Sequence, residues 1–310
     1  ISVWGHDFRP AFRRIINLVR LLPEGLPVLA TTATATPRVQ ADIGKQITGD
    51  VKMIRGSLLR ENFELYVINV NSEDEKYIWL GQNLNQLSGT GIIYTGTRVN
   101  TLNYARWFDF LKIPASEYNA GLDAESRKDI ENGLMENRWK AVVSTNALGM
   151  GIDKPDIRFI IHTQIPASPI HYYQEIGRAG RDGKPAKIIL FYNSSKDRNG
   201  LEEDYKLPKS FIDGSKPSKA SYNRVIDTLK AEPMGERQIM KATNLKQTPV
   251  RVIKADLIEQ GIIKEVKYGR IKRYEYQYNA PKIDFKAFEE LRKQKLEELN
   301  SMIEYVNLKS

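Results

Sequence analysis

The chain has 310 residues, enough for two or three domains with cores of their own. It contains no cysteine and only 3 histidines, spread far apart, which excludes disulfides and cysteine-ligated zinc and leaves no histidine metal cluster. Of the formal net charge of +9, residues 205–310 carry +8 (22 Lys+Arg against 14 Asp+Glu), while residues 1–204 hold 25 against 24. A basic appendage on a near-neutral body points to polyanion binding through phosphate contacts; the plain alternative is a soluble basic surface. No apolar run reaches the length of a membrane span and no signal-peptide pattern opens the chain, so no membrane partner is expected.

The elements follow from periodicity. Ile15, Ile16, Val19 and Leu22 make one helical face before Pro23. Residues 27–32 (PVLATT) read as a buried strand, 37–47 as a helix with proline in its first turn, and 51–54 and 63–70 as strands. From residue 71 a βαβ rhythm sets in: helices over 76–87, 99–111 and 124–136 alternate with strands over 91–94, 115–118 and 141–144. Residues 159–162 and 188–192 are further short apolar strands with a helix between them, the pattern of a parallel sheet buried on both faces. The fold class is therefore α/β. Residues 71–193 form a doubly wound parallel sheet domain, and residues 1–70 look like the C-terminal part of another.

Residues 194–219 are charged and rich in Ser, Pro and Gly, and read as a linker. Beyond it lie three helical patterns and two strand-like stretches around Tyr268-Gly269, an α+β winged-helix domain over 220–280. Its third helix opens at Thr248-Pro249, buries Val250, Ile253 and Leu257, and turns Arg251 and Lys254 outward. Arg270 and its basic neighbours crowd the wing, and Tyr268 at its tip is a candidate wedge; a solvated basic face is the ordinary alternative. Residues 281–310 end the chain as a charged amphipathic helix.

Two segments carry chemistry. Residues 172–183 read YYQEIGRAGRDG, and Arg178 and Arg181, three apart, can bring two guanidinium forks to one polyphosphate. Gly177, Ala179 and Gly180 leave room for close approach. Residues 145–156 read TNALGMGIDKPD, a glycine-rich loop after an apolar run. Together they point to a nucleotide-driven motor; either alone is equally well a surface arginine cluster or an ordinary loop.

In order along the chain, these segments resemble the RecQ family of superfamily 2 DNA helicases. Residues 4–10 (WGHDFRP) match the aromatic-rich loop that follows the family's acidic box, 31–35 (TTATA) motif III, and 91–98 (GIIYTGTR) motif IV. Residues 118–122 (YNAGL) match a further signature with Asn119 in place of histidine; 145–156 match motif V and 174–181 motif VI. The sequence departs from the family pattern in having no G-x-x-x-x-G-K-[ST] phosphate loop, no acidic box and none of the four zinc-binding cysteines. The expectation is an N-terminally truncated chain, inactive alone, from a zinc-free subset.

The resemblance implies RecA-like domains that bind ATP and Mg2+ between them, with the metal ligands in the missing first part and no zinc. It implies Arg181 as an arginine finger and Arg178 as a second phosphate contact, with Gln174, Gly177, Gly151 and Asp153 arranging the nucleotide side. Trp4, His6, Asp7, Phe8 and Arg9, with Thr32 and Thr34, would couple nucleotide state to DNA, the aromatics by stacking on unpaired bases. Thr95, Arg98, Thr145 and Asn146, at strand ends, would hold phosphates of single-stranded DNA, while Arg251, Lys254, Tyr268 and Arg270 would face duplex DNA. The implied activity is 3′→5′ DNA unwinding, in a cytoplasmic, nucleoid-associated protein; the alternative is a non-catalytic DNA-binding or strand-annealing module.

Overall fold

The computed structural model describes residues 60–149, 152–269 and 271–308, together with residues 52–57 and Leu21, Pro23, Leu26, Pro27, Leu29, Thr31 and Gln40. The chain divides into two compact units, residues 59–215 with 289–310, and residues 1–58 with 216–288. The helices expected over 15–22 and 37–47 lie almost wholly outside the described residues; residues 52–57 carry no regular element, against the strand expected over 51–54.

The first unit is built on a six-stranded, all-parallel sheet. In chain order it contains β1 (Phe63–Val70), α1 (Glu73–Asn83), β2 (Thr90–Tyr94), α2 (Arg98–Phe110), β3 (Ala115–Tyr118), α3 (Ala124–Met135) and β4 (Ala141–Ser144). Then come β5 (Ile157–His162), α4 (Pro169–Ile176), β6 (Ala186–Asn193) and α5 (Glu203–Asp213), and the strands lie in the order β1-β6-β5-β2-β4-β3. Alternation splits the strand residues between two cores. Ile92, Val142, Ile160 and Ile188 pack on one face with α3 and α4, and Ile93, Val143, Ile161 and Ile189 on the other with α1 and α2.

Local chemistry sets the helix starts. Ser72, Thr97, Asp123 and Ser168 each cap a helix by accepting a backbone N–H from the first turn, and Pro169 opens α4, where its missing N–H has no intrahelical partner to lose. Gly91 in β2 answers a close approach: a Cβ there would meet the Phe159 ring at 2.2 Å and its carbonyl oxygen at 2.4 Å.

Three expected boundaries change. Residues 63–70 do not belong with the preceding body, because β1 pairs in full register with β6, from Phe63↔Ala186 to Val70↔Asn193. The linker expected over 194–219 contains α5, seated by Asp204, which is buried against the ammonium of Lys76 at 2.9 Å. The terminal helix set apart at 281–310 is α9 (Lys286–Val306), and it belongs to the first unit from residue 289 on: Leu299, Met302 and Val306 complete the core on the α4 face.

The second unit contains α6 (Lys219–Ala231), α7 (Glu236–Thr243), α8 (Gln247–Glu259) and an antiparallel hairpin of β7 (Ile263–Tyr268) and β8 (Ile271–Tyr276). Tyr222, Val225, Ile239, Ile253, Leu257 and Ile263 form its core. α8 starts one residue before Thr248 with Lys246 as its cap residue, so Thr248 is not the cap, although Pro249 still falls in the first turn.

Candidate nucleotide and nucleic-acid site

The loops following β2 and β4 leave the C-terminal edge of the sheet side by side, tied by Thr95 N–H donating to Ser144 O at 2.8 Å. Open α/β sheets bind their ligands at this edge. Arg98 and Asn146 are exposed there. Thr95 is not: it is buried, and its hydroxyl donates to Thr97 O at 3.1 Å, so it shapes the turn instead of meeting a phosphate. The Thr145 hydroxyl likewise accepts from Ala147 N–H within its own turn, at 3.4 Å. Asn119 is buried, donates to Thr101 Oγ1 at 3.1 Å and accepts from Gly121 N–H at 2.9 Å, closing the YNAGL turn beside Arg98.

The two arginines follow α4, which crosses one face of the sheet and ends at Gly177, whose N–H donates to Tyr173 O at 2.9 Å. Gln174 lies half-buried on the last turn of α4. Arg178 turns inward toward the 145–156 loop: a Cβ on Gly149 would sit 3.5 Å from its Nη2. Nearby, the buried Tyr94 hydroxyl donates to Leu148 O at 3.1 Å; burial and the Glu175 charge push its pKa up, and the positive charge of Arg178 partly opposes that. Arg178 Nε is buried with no hydrogen-bond partner among the described residues. Arg181 turns outward to Asp153 Oδ1 at 2.6 Å, a pair in which Asp153 is 87% exposed.

These contacts differ in strength. An ion pair so open to water contributes about 0–1 kcal/mol, so Arg181 can exchange Asp153 for a better anion at little cost. A polyphosphate oxygen is such an anion, because charge-assisted bonds to guanidinium are bidentate and short. The buried, unpartnered Nε of Arg178 costs free energy until an acceptor arrives. The geometry therefore suits a phosphate-bearing ligand.

Two groups of residues escaped the sequence reading. His162, at the end of β5, has its Nε2 2.8 Å from Glu175 Oε2 on α4 and stacks on Tyr94 with ring centroids 5.2 Å apart. It ties α4, the helix that leads into the arginine turn, to β5 and β2. Neither its position nor that of Glu175 forms a local spacing, so only the α4 crossover brings them together. Arg60 and Asn62, just ahead of β1, reach the turn between the two arginines.

In the second unit Arg251 is exposed and donates to Glu236 Oε1 at 3.1 Å. Lys254 corrects the sequence expectation: it is buried, 2.6 Å from Glu236 Oε2 and 4.0 Å over the Tyr274 ring. Burial pushes the Glu236 carboxyl up, but hydrogen bonds from Lys254, Gln247 and Arg251 outweigh it and hold the pKa at about 2. Part of the basic face of α8 is thus neutralised internally. Tyr268 ends β7 opposite Ile271, beside the hairpin turn at Gly269. Trp4, His6, Asp7, Phe8, Arg9, Thr32, Thr34, Gly151 and Arg270 lie outside the described residues.

Residues 75–183 match the helicase conserved C-terminal domain family. The chain is 37% identical over 197 residues to the ATP-dependent DNA helicase RecQ of Bacillus subtilis, covering 62% of this chain and 32% of that protein. It is 34% identical over 238 residues to the RecQ of Pasteurella multocida, covering 76% and 35%. The putative ATP-dependent DNA helicase Q1 of Caenorhabditis elegans is 33% identical over 228 residues, covering 69% and 36%. The chain thus spans about a third of the length of these curated relatives. Among solved structures, Saccharomyces cerevisiae Dbp5 bound to RNA and ADP BeF3 superposes with a TM-score of 0.54 at 20% identity, over 70% of this chain and 56% of that one, a likeness of fold. With a helicase C-terminal domain on a RecA-like parallel sheet and relatives of this kind along most of its length, the chain belongs to the RecQ family of superfamily 2 helicases.

Proposed function

We propose that this protein is an ATP-dependent DNA helicase that translocates 3′→5′, and that this chain supplies the arginine wall of its ATP site. The observation that carries the reading is the pair of guanidinium groups on one turn. Arg178 has a buried donor without a partner, and Arg181 is held by Gly177 O at 3.4 Å and by the exposed Asp153 carboxylate of the glycine-rich loop. In this role Arg181 stabilises the charge that develops on the transferring phosphoryl group, and Arg178 fixes the phosphates against the 145–156 loop. Mg2+ would accompany ATP and offset phosphate charge. Among the described residues no group of three or more carboxylate, histidine or cysteine side chains could hold a metal, so none is assigned to it.

Single-stranded DNA would track the edge where Arg98 and Asn146 are exposed, its phosphates held without reading sequence. The second unit, with three helices followed by a hairpin, has the element order of a winged helix and is proposed to hold duplex DNA through Arg251 and the basic hairpin. With no G-x-x-x-x-G-K-[ST] in its sequence, the chain alone is expected to hydrolyse no ATP. The test is strand separation by the intact protein on duplexes bearing a 3′ or a 5′ single-stranded tail. ATP-dependent opening of the 3′-tailed duplex alone is expected. Opening of only the 5′-tailed duplex would refute the polarity, and strand annealing without any ATP-dependent opening would favour the non-catalytic reading.

A further inference from the structure

The turn between the two arginines is stapled from a distant part of the chain. The side-chain amide of Asn62 donates one N–H to Gly180 O at 2.8 Å and the other to Lys184 O at 2.9 Å. These carbonyls stand on either side of Arg181-Asp182-Gly183, so one side chain spans the base of the loop that carries Arg181. Asn62 O also accepts Ala186 N–H at 2.9 Å. Arg60 adds Nη2 bonds to Ala179 O and Gly180 O, both at 3.2 Å, while its guanidinium lies 4.9 Å over the Phe63 ring.

Gly180 is adapted to this staple. Its φ is +55°, and a Cβ there would fall 2.4 Å from Asn62 Nδ2 and 2.9 Å from Lys184 O. A primary amide is suited to the position because it offers two donors in one plane to two carbonyls. Aspartate has the same shape but presents only acceptors, and would face both carbonyls with negative charge.

We propose that Asn62, assisted by Arg60, is a positioning residue for ATP hydrolysis: it sets the loop from which Arg181 reaches the phosphate. The proposal rests on the reading of Arg181 given above. It also gives the start of this unit, the first residues the chain contributes before β1, a direct hold on the arginine loop. Asn62 touches no substrate, and its effect passes through Arg181.

The test is a double-substitution cycle on DNA-stimulated ATP hydrolysis by the intact protein, using Asn62→Asp, Arg181→Ala and the two combined. A displaced finger affects the chemical step more than nucleotide binding. Asn62→Asp should lower kcat about 10- to 100-fold with the KM for ATP changed less than about threefold. Combined with Arg181→Ala, it should lower kcat no further, because the residue it positions is already gone. Additive losses, or a change confined to KM, would overturn the proposal. An unaltered kcat in Asn62→Asp while Arg181→Ala is impaired would also overturn it, whereas an unaltered kcat in Arg181→Ala would instead remove the finger assignment. Should Asn62→Asp fail to fold, Asn62→Ala removes both donors without adding charge and carries the same cycle.

Discussion

Replacing Arg181 with alanine is expected to lower DNA-stimulated ATP hydrolysis by about 10³-fold, the scale of an arginine finger's contribution, while leaving the affinity for single-stranded DNA nearly unchanged. The size follows from where the charge develops. Phosphoryl transfer spreads negative charge over oxygens in a site screened from water, and a guanidinium placed there stabilises the transition state more than the bound substrate. The ground-state cost of losing Arg181 is small, because its present partner Asp153 is exposed and the pair contributes little to folding. Rate and stability should therefore separate, with a melting temperature close to that of the parent protein. Rapid-quench ATP assays beside thermal melts would measure both, and retained hydrolysis would remove Arg181 from the site.

The largest effect on stability is expected at Lys76. Its ammonium is fully buried and uses its donors on Glu73 Oε1 at 2.6 Å, Thr163 O at 2.8 Å and Asp204 Oδ1 at 2.9 Å. Asp204 is itself buried and accepts one further bond, from Asn193 N–H at 2.7 Å. Burial pushes the Asp204 carboxyl upward, and Lys76 pulls it back. Removing one partner of such a pair costs about 3–5 kcal/mol, because the other charge is left buried and unmatched. Lys76→Met should therefore lower the melting temperature of the unit by roughly 6–20 °C. The companion variant decides the cause. Lys76→Met with Asp204→Leu should recover much of the loss, since an apolar pair of similar volume is often no less stable than the ion pair it replaces. If the double variant melts as low as Lys76→Met, packing and not an orphaned charge is responsible.

Much of the sheet was legible because its strands are buried on both faces, and a run such as residues 141–144 has no other way to satisfy its apolar side chains. The arginine turn was legible because its residue types serve phosphate chemistry at close spacing. What escaped was non-local. The place of β1 depends on a partner strand whose first paired residue is Ala186, and no local pattern distinguishes that from a strand of the preceding body. The charges of residues 194–219 read as solvent-facing, although Asp204 serves a lysine 128 residues away. His162 and Glu175 meet only once α4 has crossed the sheet.

Lys254 is a different kind of miss, since the signal was present. It lies four residues after Val250 and three before Leu257, on the same stripe as the buried Ile253. Its positive charge suggested an outward direction, but the Glu236 carboxylate and the Tyr274 ring receive it inside. Its long stem is buried with the stripe, and the charge is matched locally.

In the proposed function the guanidinium pair of this chain meets the phosphates of ATP. The most direct measurement is a crystal structure of the intact protein with a non-hydrolysable ATP analogue and Mg2+. Arg181 is expected to leave Asp153 and place its guanidinium within about 3 Å of a terminal phosphate oxygen, with Arg178 Nε satisfied at the same ligand. A bound nucleotide with Arg181 still paired to Asp153, and neither guanidinium in contact with phosphate, would contradict it.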